Sequence, residues 1–157
     1  RLIRTRRRED RERVFAIQCR AHAPAYHEPV EALASRIECG EGFCLACDAP
    51  EGLTAYLLAH PWRGAPPALH TPLVPPAEAD HLFLHDLAIL PVHQGKGIAA
   101  ALIENLLALA SSRFAGIRLV ALAGVEDFWR RQGWQPLAAT LESNYGVGAL
   151  LMGRPLA

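Results

Sequence analysis

The segment QGKGIA, residues 94–99, places small, flexible residues where an apolar run passes into a helical pattern. The first N–H groups of a helix have no partners inside it, and the helix dipole is positive there. Glycines allow a ligand to approach such a backbone closely. A phosphate or pyrophosphate is the natural occupant, and Lys96, the only lysine in the chain, would add a mobile positive charge at the rim. On these six residues alone a plain glycine turn is a rival reading. The Walker pattern GxxxxGK[ST] is absent, since Gly97 follows Lys96. The pattern GxGxxG is only partial, with Ala100 in place of its third glycine and no acidic residue about twenty positions later.

A second constellation is His85–Asp86, two polar residues in the middle of the apolar run HLFLHDLAIL. Burying such groups is costly unless they are paired. Neighbours on a strand are expected to face opposite sides, so the two need not serve one task. A core histidine satisfied by hydrogen bonds and a catalytic histidine are both open at His85. Cys44 and Cys47 form a CxxC, which invites a zinc or redox reading. FCLACD reads as a strand, however, and side chains three apart on a strand face opposite sides. No second CxxC or nearby CxxH completes a closed zinc site, so no metal is expected. Together with Cys19 and Cys39 these are expected to be buried free thiols in a reducing compartment.

The elements that must position these groups follow from periodicity. RLIRTR alternates as a first strand. EDRERVFAIQCRAH is a helix with Val14, Ile17 and Ala21 on one face, ended by Pro24. HEPVEALASRIE is a second helix, with Pro29 in its first turn and an apolar stripe of Val30, Leu33, Ala34 and Ile37. FCLACD and LTAYLLAH form an antiparallel hairpin around APEG. The connection at 61–80 contains half of the chain's twelve prolines. A loop of about twenty residues is unusual in a compact domain and is often functional. HLFLHDLAIL is a strand, and IRLVALA (117–123) is a strand apolar enough to be buried on both faces. The helix between them, from Ile98 to Arg113, packs Ile98, Leu102, Leu106 and Leu109 inward. Strand, glycine loop, helix and strand make a βαβ crossover, so these two strands are parallel. VEDFWRRQ is a short last helix capped by Gly133, and GALLMGRPL a terminal strand. A mixed α/β (α+β) sheet of six to seven strands follows, with helices on both faces.

The 157 residues suit one domain, 1–157. With 51% apolar residues the core is ample. The formal net charge is zero, so no whole-molecule field draws the protein to nucleic acid or an anionic membrane. The arginine-rich start, Arg1 to Arg13, is interleaved with Glu9, Asp10 and Glu12 and reads as a solvated surface with local ion pairs. No apolar run is long enough for a membrane span, and no signal-peptide apolar segment follows the charged start. A cytoplasmic protein is expected. Oligomeric state is open, a homodimer being one option.

The stretch DLAILPVHQGKGIAAALI resembles the central motif of the GNAT acetyltransferases, [Q/R]xxGx[G/A] between a strand and a helix, with Gln94, Gly97 and Ala99 in the three places. VALAGVEDFWRRQGWQPL is similar to that family's later strand and helix, and NYGVGALLMGRPL to its closing strand. YLLAHPW and FLHDLAILP also resemble bacterial members. The resemblance implies an N-acetyltransferase using acetyl-CoA as co-substrate, without a metal, on a primary amine of a small molecule or peptide. The alternative is a catalytically weak acyl-CoA-binding sensor.

Residue by residue, the resemblance implies that backbone N–H groups of Gln94, Gly95, Lys96, Gly97, Ile98 and Ala99 hold the coenzyme pyrophosphate. Lys96 occupies a free position of the motif and is an accessory charge. Leu87, Ala88 and Ile89 would pair with the pantetheine arm beside a bulge, an N–H near Leu87 polarising the acetyl carbonyl. A lysine-like amine has a pKa near ~10.4, so only roughly one in 2,500 is neutral at pH 7; a base or a pKa-lowering site must supply the nucleophile. Some polyamine-acetylating relatives carry a glutamate proposed as base at the position of His85, which makes His85 the first candidate and Asp86 the second, beside a structural or amine-binding role. Trp129 stands where many relatives have an acidic tyrosine, and Tyr145 is the candidate substitute, against a packing tyrosine with a satisfied hydroxyl. Tyr26, His27 and Glu28 lie where relatives contact the acceptor; Glu28 equally suits a helix-start acid.

Overall fold

A computed structural model describes residues 2–139, 141 and 143–156. Seven strands form one sheet in the order β1-β2-β3-β4-β5-β7-β6. They are β1 (Leu2–Thr5), β2 (Leu45–Ala49), β3 (Gly52–Trp62), β4 (His81–Ile89), β5 (Gly116–Ala121), β6 (Gln135–Pro136) and β7 (Leu150–Pro155). The helices are α1 (Arg11–Ala21), α2 (Val30–Cys39), α3 (Ile98–Ala110) and α4 (Glu126–Arg131). Only β4 and β5 run parallel, as the crossover through α3 requires. Arg1, expected in the first strand, lies outside the described residues.

Alternation along the strands divides the core. Leu45, Cys47, Ala55, Leu57, Ala59, Leu82 and Leu84 pack with Leu102, Ile103 and Leu106 of α3 and with Trp129 and Trp134. Cys44, Ala46, Tyr56, Leu58, Ala88 and Leu90 pack with Val14 and Ile17 of α1 and Leu33 and Ile37 of α2. Cys44 and Cys47 therefore point to opposite faces, as their spacing on the strand requires. Buried thiols hold only for these two: Cys19 is exposed and Cys39 half-buried. At the start of the chain, Arg4 binds Asp10 and Asp48 at 2.8 and 2.6 Å, the local pairing expected of the interleaved charges.

Three helix and strand details differ from the periodicity reading. Val30 is 43% exposed. Pro29 is the N-cap, α2 starts at Val30, and its inward face is Ala32, Leu33, Arg36 and Ile37. Leu109 is exposed and Ala110 buried, because the inward face of α3 runs through Ile98, Leu102, Ile103, Leu106 and Ala110; the helix ends at Ala110 and not at Arg113. In β5 only Ile117, Leu119 and Ala121 are buried; Val120 is half-exposed, since its side of the strand borders an opening in the sheet.

That opening has two causes. The β4–β5 ladder consists of two pairs, Leu82↔Ile117 and Phe83↔Arg118, after which the strands part. At the same level the β3–β4 register steps from Ala59↔Leu84 to Leu58↔Asp86, leaving His85 as an extra residue. Such a bulge bends its strand and increases the local twist. It also reverses the alternation. Leu82 and Leu84 before it, and Leu87 and Ile89 after it, all face α3. His85 and Asp86 consequently both face α1 and α2, which corrects the expectation that they point to opposite sides.

Candidate active site

The opening between β4 and β5 holds a cavity of about 580 Å³ that passes through the sheet. On the α3 side it is walled by Leu84, Leu119, Phe128 and Trp129; on the other by His22, Tyr26, Glu28 and Tyr145. Its floor is the parted segment of β4, His85 to Ile89, and it reaches Gln94, Gly95 and Ala99.

The backbone at the glycine loop is open and has the geometry that can receive an anion. Gly95 and Gly97 have φ of 76° and 80°, the left-handed region in which glycine carries no penalty. Nothing lies within 4 Å of a Cβ built on either, so the loop is an open cradle. Gly97 is the N-cap of α3, with no side-chain hydrogen bond to the cap and no acidic residue in the first turn. The N–H groups of Ile98, Ala99 and Ala100 have no partners within the helix. The Gln94 side-chain amide donates to the Ile89 carbonyl at 3.1 Å and ties the loop to the end of β4. Leu90 N–H turns to β3 and donates to Thr54 O at 2.9 Å. By alternation the backbone groups of Leu87 and Ile89 turn away from β3, into the opening. Ile98 itself is core, 2% exposed, so only its N–H is available to a ligand. Lys96 and Gly97 are exposed outside the cavity wall.

The opposite end is polar and densely paired. His85 Nε2 meets Glu28 Oε2 at 2.5 Å. Glu28 Oε1 accepts from Arg36 at 3.0 Å and from the His70 backbone N–H at 2.9 Å. Arg36, wholly buried, also donates to the Ala68 carbonyl. Glu28's own backbone is held at both ends by the Gln18 amide. Burial alone would raise the Glu28 carboxyl, but His85 and Arg36 outweigh it and hold the group well below its ordinary range. Glu28 is thus a fixed buried anion, which replaces the helix-start reading.

Asp86 is bound by His22 Nε2 at 2.7 Å and by the Tyr56 hydroxyl at 2.6 Å. Burial raises its carboxyl, yet the His22 hydrogen bond and charge prevail and keep it below its ordinary value. Reciprocally, burial lowers His22, and Asp86 prevails in raising it. Two histidine–carboxylate pairs therefore stand side by side. His85 Nε2 faces an acceptor-only carboxylate, so in the neutral ring Nε2 carries the hydrogen and Nδ1 the lone pair. That Nδ1 is buried and has no hydrogen-bond partner among the described residues.

Of the other anticipated residues, Tyr26 and Tyr145 line the cavity. His27 does not; its ring bonds the His22 carbonyl at 2.7 Å. The Tyr145 hydroxyl donates to the Pro67 carbonyl, the satisfied arrangement of a packing tyrosine. Trp129 is 9% exposed and stacks edge-on with Phe128 and Trp134. Sequence reasoning missed His22, Arg36 and Tyr56. Among the described residues no group of His, Cys, Asp and Glu is arranged for a metal ion, and no helix is long and apolar enough to cross a membrane.

The family model for the acetyltransferase (GNAT) family matches residues 11–134. The chain belongs to the GNAT acetyltransferase family. None of the curated proteins compared matches it significantly. Among solved structures, the GphF GNAT-like decarboxylase in complex with isobutyryl-CoA superposes with a TM-score of 0.83 at 16% identity, over 100% of both chains. The loading GNATL domain of CurA from Lyngbya majuscula gives 0.81 at 13%, over 99% of this chain and 97% of that one. The ribosomal-protein-S18-alanine N-acetyltransferase from Escherichia coli gives 0.75 at 19%, over 99% and 94%. At these identities the likeness is one of fold, and this GNAT chain shares the mixed sheet and its helices on both faces with all three.

Proposed function

We propose that this GNAT protein is an acetyl-CoA-dependent N-acetyltransferase acting on a primary amine. The observation that carries the reading is the opening between β4 and β5, which joins an anion cradle at one end to two histidine–carboxylate pairs at the other. The residues fit the coenzyme: Gln94 to Ala99 present open backbone donors to a pyrophosphate, and Leu87 to Ile89 present an unpaired strand edge to an extended amide-bearing arm. When bound, acetyl-CoA supplies a thioester-activated acetyl group to the attacking amine. The N–H of Leu87 turns into the opening and can donate to a carbonyl oxygen there. His85 Nδ1 holds the lone pair that takes the amine proton, directly or through water, while Glu28, itself held by Arg36, fixes the ring and balances its charge. Asp86, held ionised by His22, attracts the ammonium form of the acceptor.

A thiol-release assay with acetyl-CoA and a panel of amines tests this. Amine-dependent release that disappears in His85→Ala is expected. A second reading, an acyl-CoA-binding sensor, is favoured by Trp129 and by the engagement of the Tyr145 hydroxyl with Pro67, which leave no ready proton donor for the departing thiolate. Tight coenzyme binding with no amine turned over would select it. A decarboxylase like GphF must hold a carboxylated substrate, and no Arg or Lys is among the described residues lining this cavity.

A further inference from the structure

The connection 63–80, between β3 and β4, is tied by its backbone to two separate parts of the fold. From α2 and the residues before it, Ser35 Oγ accepts from Leu73 N–H at 2.8 Å, Arg36 donates to Ala68 O, and Glu28 accepts from His70 N–H. From the turn Ser143–Tyr145, Asn144 donates to Leu69 O at 3.2 Å and Tyr145 to Pro67 O. A further bond, from the Tyr26 hydroxyl to Tyr145 O at 3.4 Å, joins the α1–α2 connection to the same turn. Three segments that could have flanked an open groove are thus stitched into one rim. Leu69 and Tyr145, at 9% and 4% exposure, form the resulting roof over the polar end of the cavity.

The charges under this roof are unequal in kind. Two carboxylates, Glu28 and Asp86, face the cavity, whereas the guanidinium of Arg36 sits behind Glu28 and does not line it. Both histidines there are already engaged with carboxylates. Among the described residues Asp86 accepts from only two donors, and a carboxylate offers about four acceptor sites, so an entering ammonium finds acceptors to spare; an entering carboxylate finds no Arg or Lys among the described lining residues to repay its desolvation.

From these observations we infer that the acceptor is a small amine without a carboxylate, enclosed beneath the 63–80 connection, and neither a free amino acid nor the end of a polypeptide. The inference rests on the acetyl-transfer reading for its use of the site, but it is tested by binding. Calorimetry is run with pentylamine, with norleucine (the same alkyl amine bearing a carboxylate) and with a tripeptide amide beginning with norleucine, each with and without saturating coenzyme A. Pentylamine should bind, norleucine at least roughly tenfold more weakly, and the tripeptide amide undetectably. Equal or tighter binding of norleucine or of the tripeptide amide overturns the inference, as does binding of none of the three. Selective binding of pentylamine without its acetylation upholds the inference and removes the acetyl-transfer reading instead. The double variant Ser35→Ala/Asn144→Ala, which loosens two stitches away from the paired histidines, should admit the tripeptide amide. A folded variant with increased proteolysis in 63–80 that still excludes it would overturn the roof as the cause.

Discussion

Replacing Glu28 by Gln is the most informative perturbation of the polar cluster. The substitution keeps size and one carbonyl oxygen for the His70 N–H, but it removes the carboxylate that, among the described residues, is the one bound to Arg36, a side chain with no exposed surface. Removing one partner of a buried pair leaves the other charge uncompensated, at a cost of about 3–5 kcal/mol. For a domain of this size each kcal/mol lowers the melting temperature by about 2–4 °C, so a fall of roughly 6–20 °C is expected in thermal melts followed by circular dichroism. The double variant Glu28→Gln/Arg36→Met should recover at least ~2 kcal/mol of this, because the stranded charge is gone. The loss should also depend on pH with a definite sign. The folded-state pKa of Glu28 lies below its ordinary 4.5, so its contribution is full above pH 4.5 and is lost as pH falls through the lower, folded value. The gap between parent and Glu28→Gln therefore narrows in acid. A cost below ~1 kcal/mol at pH 7, or strict additivity of the two substitutions, would refute the view that Glu28 and Arg36 form one electrostatic unit.

Other predictions concern the opening itself. Gly97→Glu should cost coenzyme affinity at least ~100-fold by calorimetry, since it adds a like charge and forces a left-handed φ of 80° on a residue with a Cβ; unchanged affinity would remove the loop from the binding site. His85→Ala should lower turnover most at low pH, where the acceptor is least often neutral, and a constant ratio to the parent from pH 6 to 9, about the range in which histidine matters, would discard His85 as the base. Tyr145→Phe leaves the Pro67 carbonyl without its donor, so about 1–3 kcal/mol of stability should be lost in urea melts. If turnover falls as well, beyond the unfolded fraction, Tyr145 also serves the leaving group.

The order of elements and the parallel β4–β5 crossover were legible because hydrophobic period, glycine and proline are local signals. The seven-strand sheet followed from them, apart from the two-residue β6. The bulge at His85 was not legible at its position, because an unpaired residue exists only relative to the partner strand. The same limit hid the placing of Asp86: alternation, applied without the bulge, sends it to the wrong face. Arg36 was missed for a different reason. An arginine on an amphipathic helix reads as solvated, and its burial is made tolerable by Glu28, just ahead of the same helix, and by the Ala68 carbonyl from the 63–80 connection. His22 is the C-cap of α1, where a polar residue is ordinary, and nothing local announces Asp86 at 2.7 Å. The proline-rich connection was recognisable as unusual, but its bonds to Glu28, Arg36 and Asn144 are contacts between segments far apart in sequence.

The extra residue in β4 acts as a parity switch. Even-numbered positions face α3 up to Leu84, and odd-numbered positions do so from Leu87 onward. The side chain at 85 can change without disturbing this count, so the chemistry at that point is free to vary while the sheet is conserved in shape. Removing the residue altogether is a different event. The ladder would become regular, with Leu84 opposite Ala59 and Asp86 opposite Leu58, so positions 86 to 89 would keep their faces, but the bend and added twist at the opening would be lost. Along this strand the number of residues, more than the identity of the one at 85, shapes the opening in the sheet.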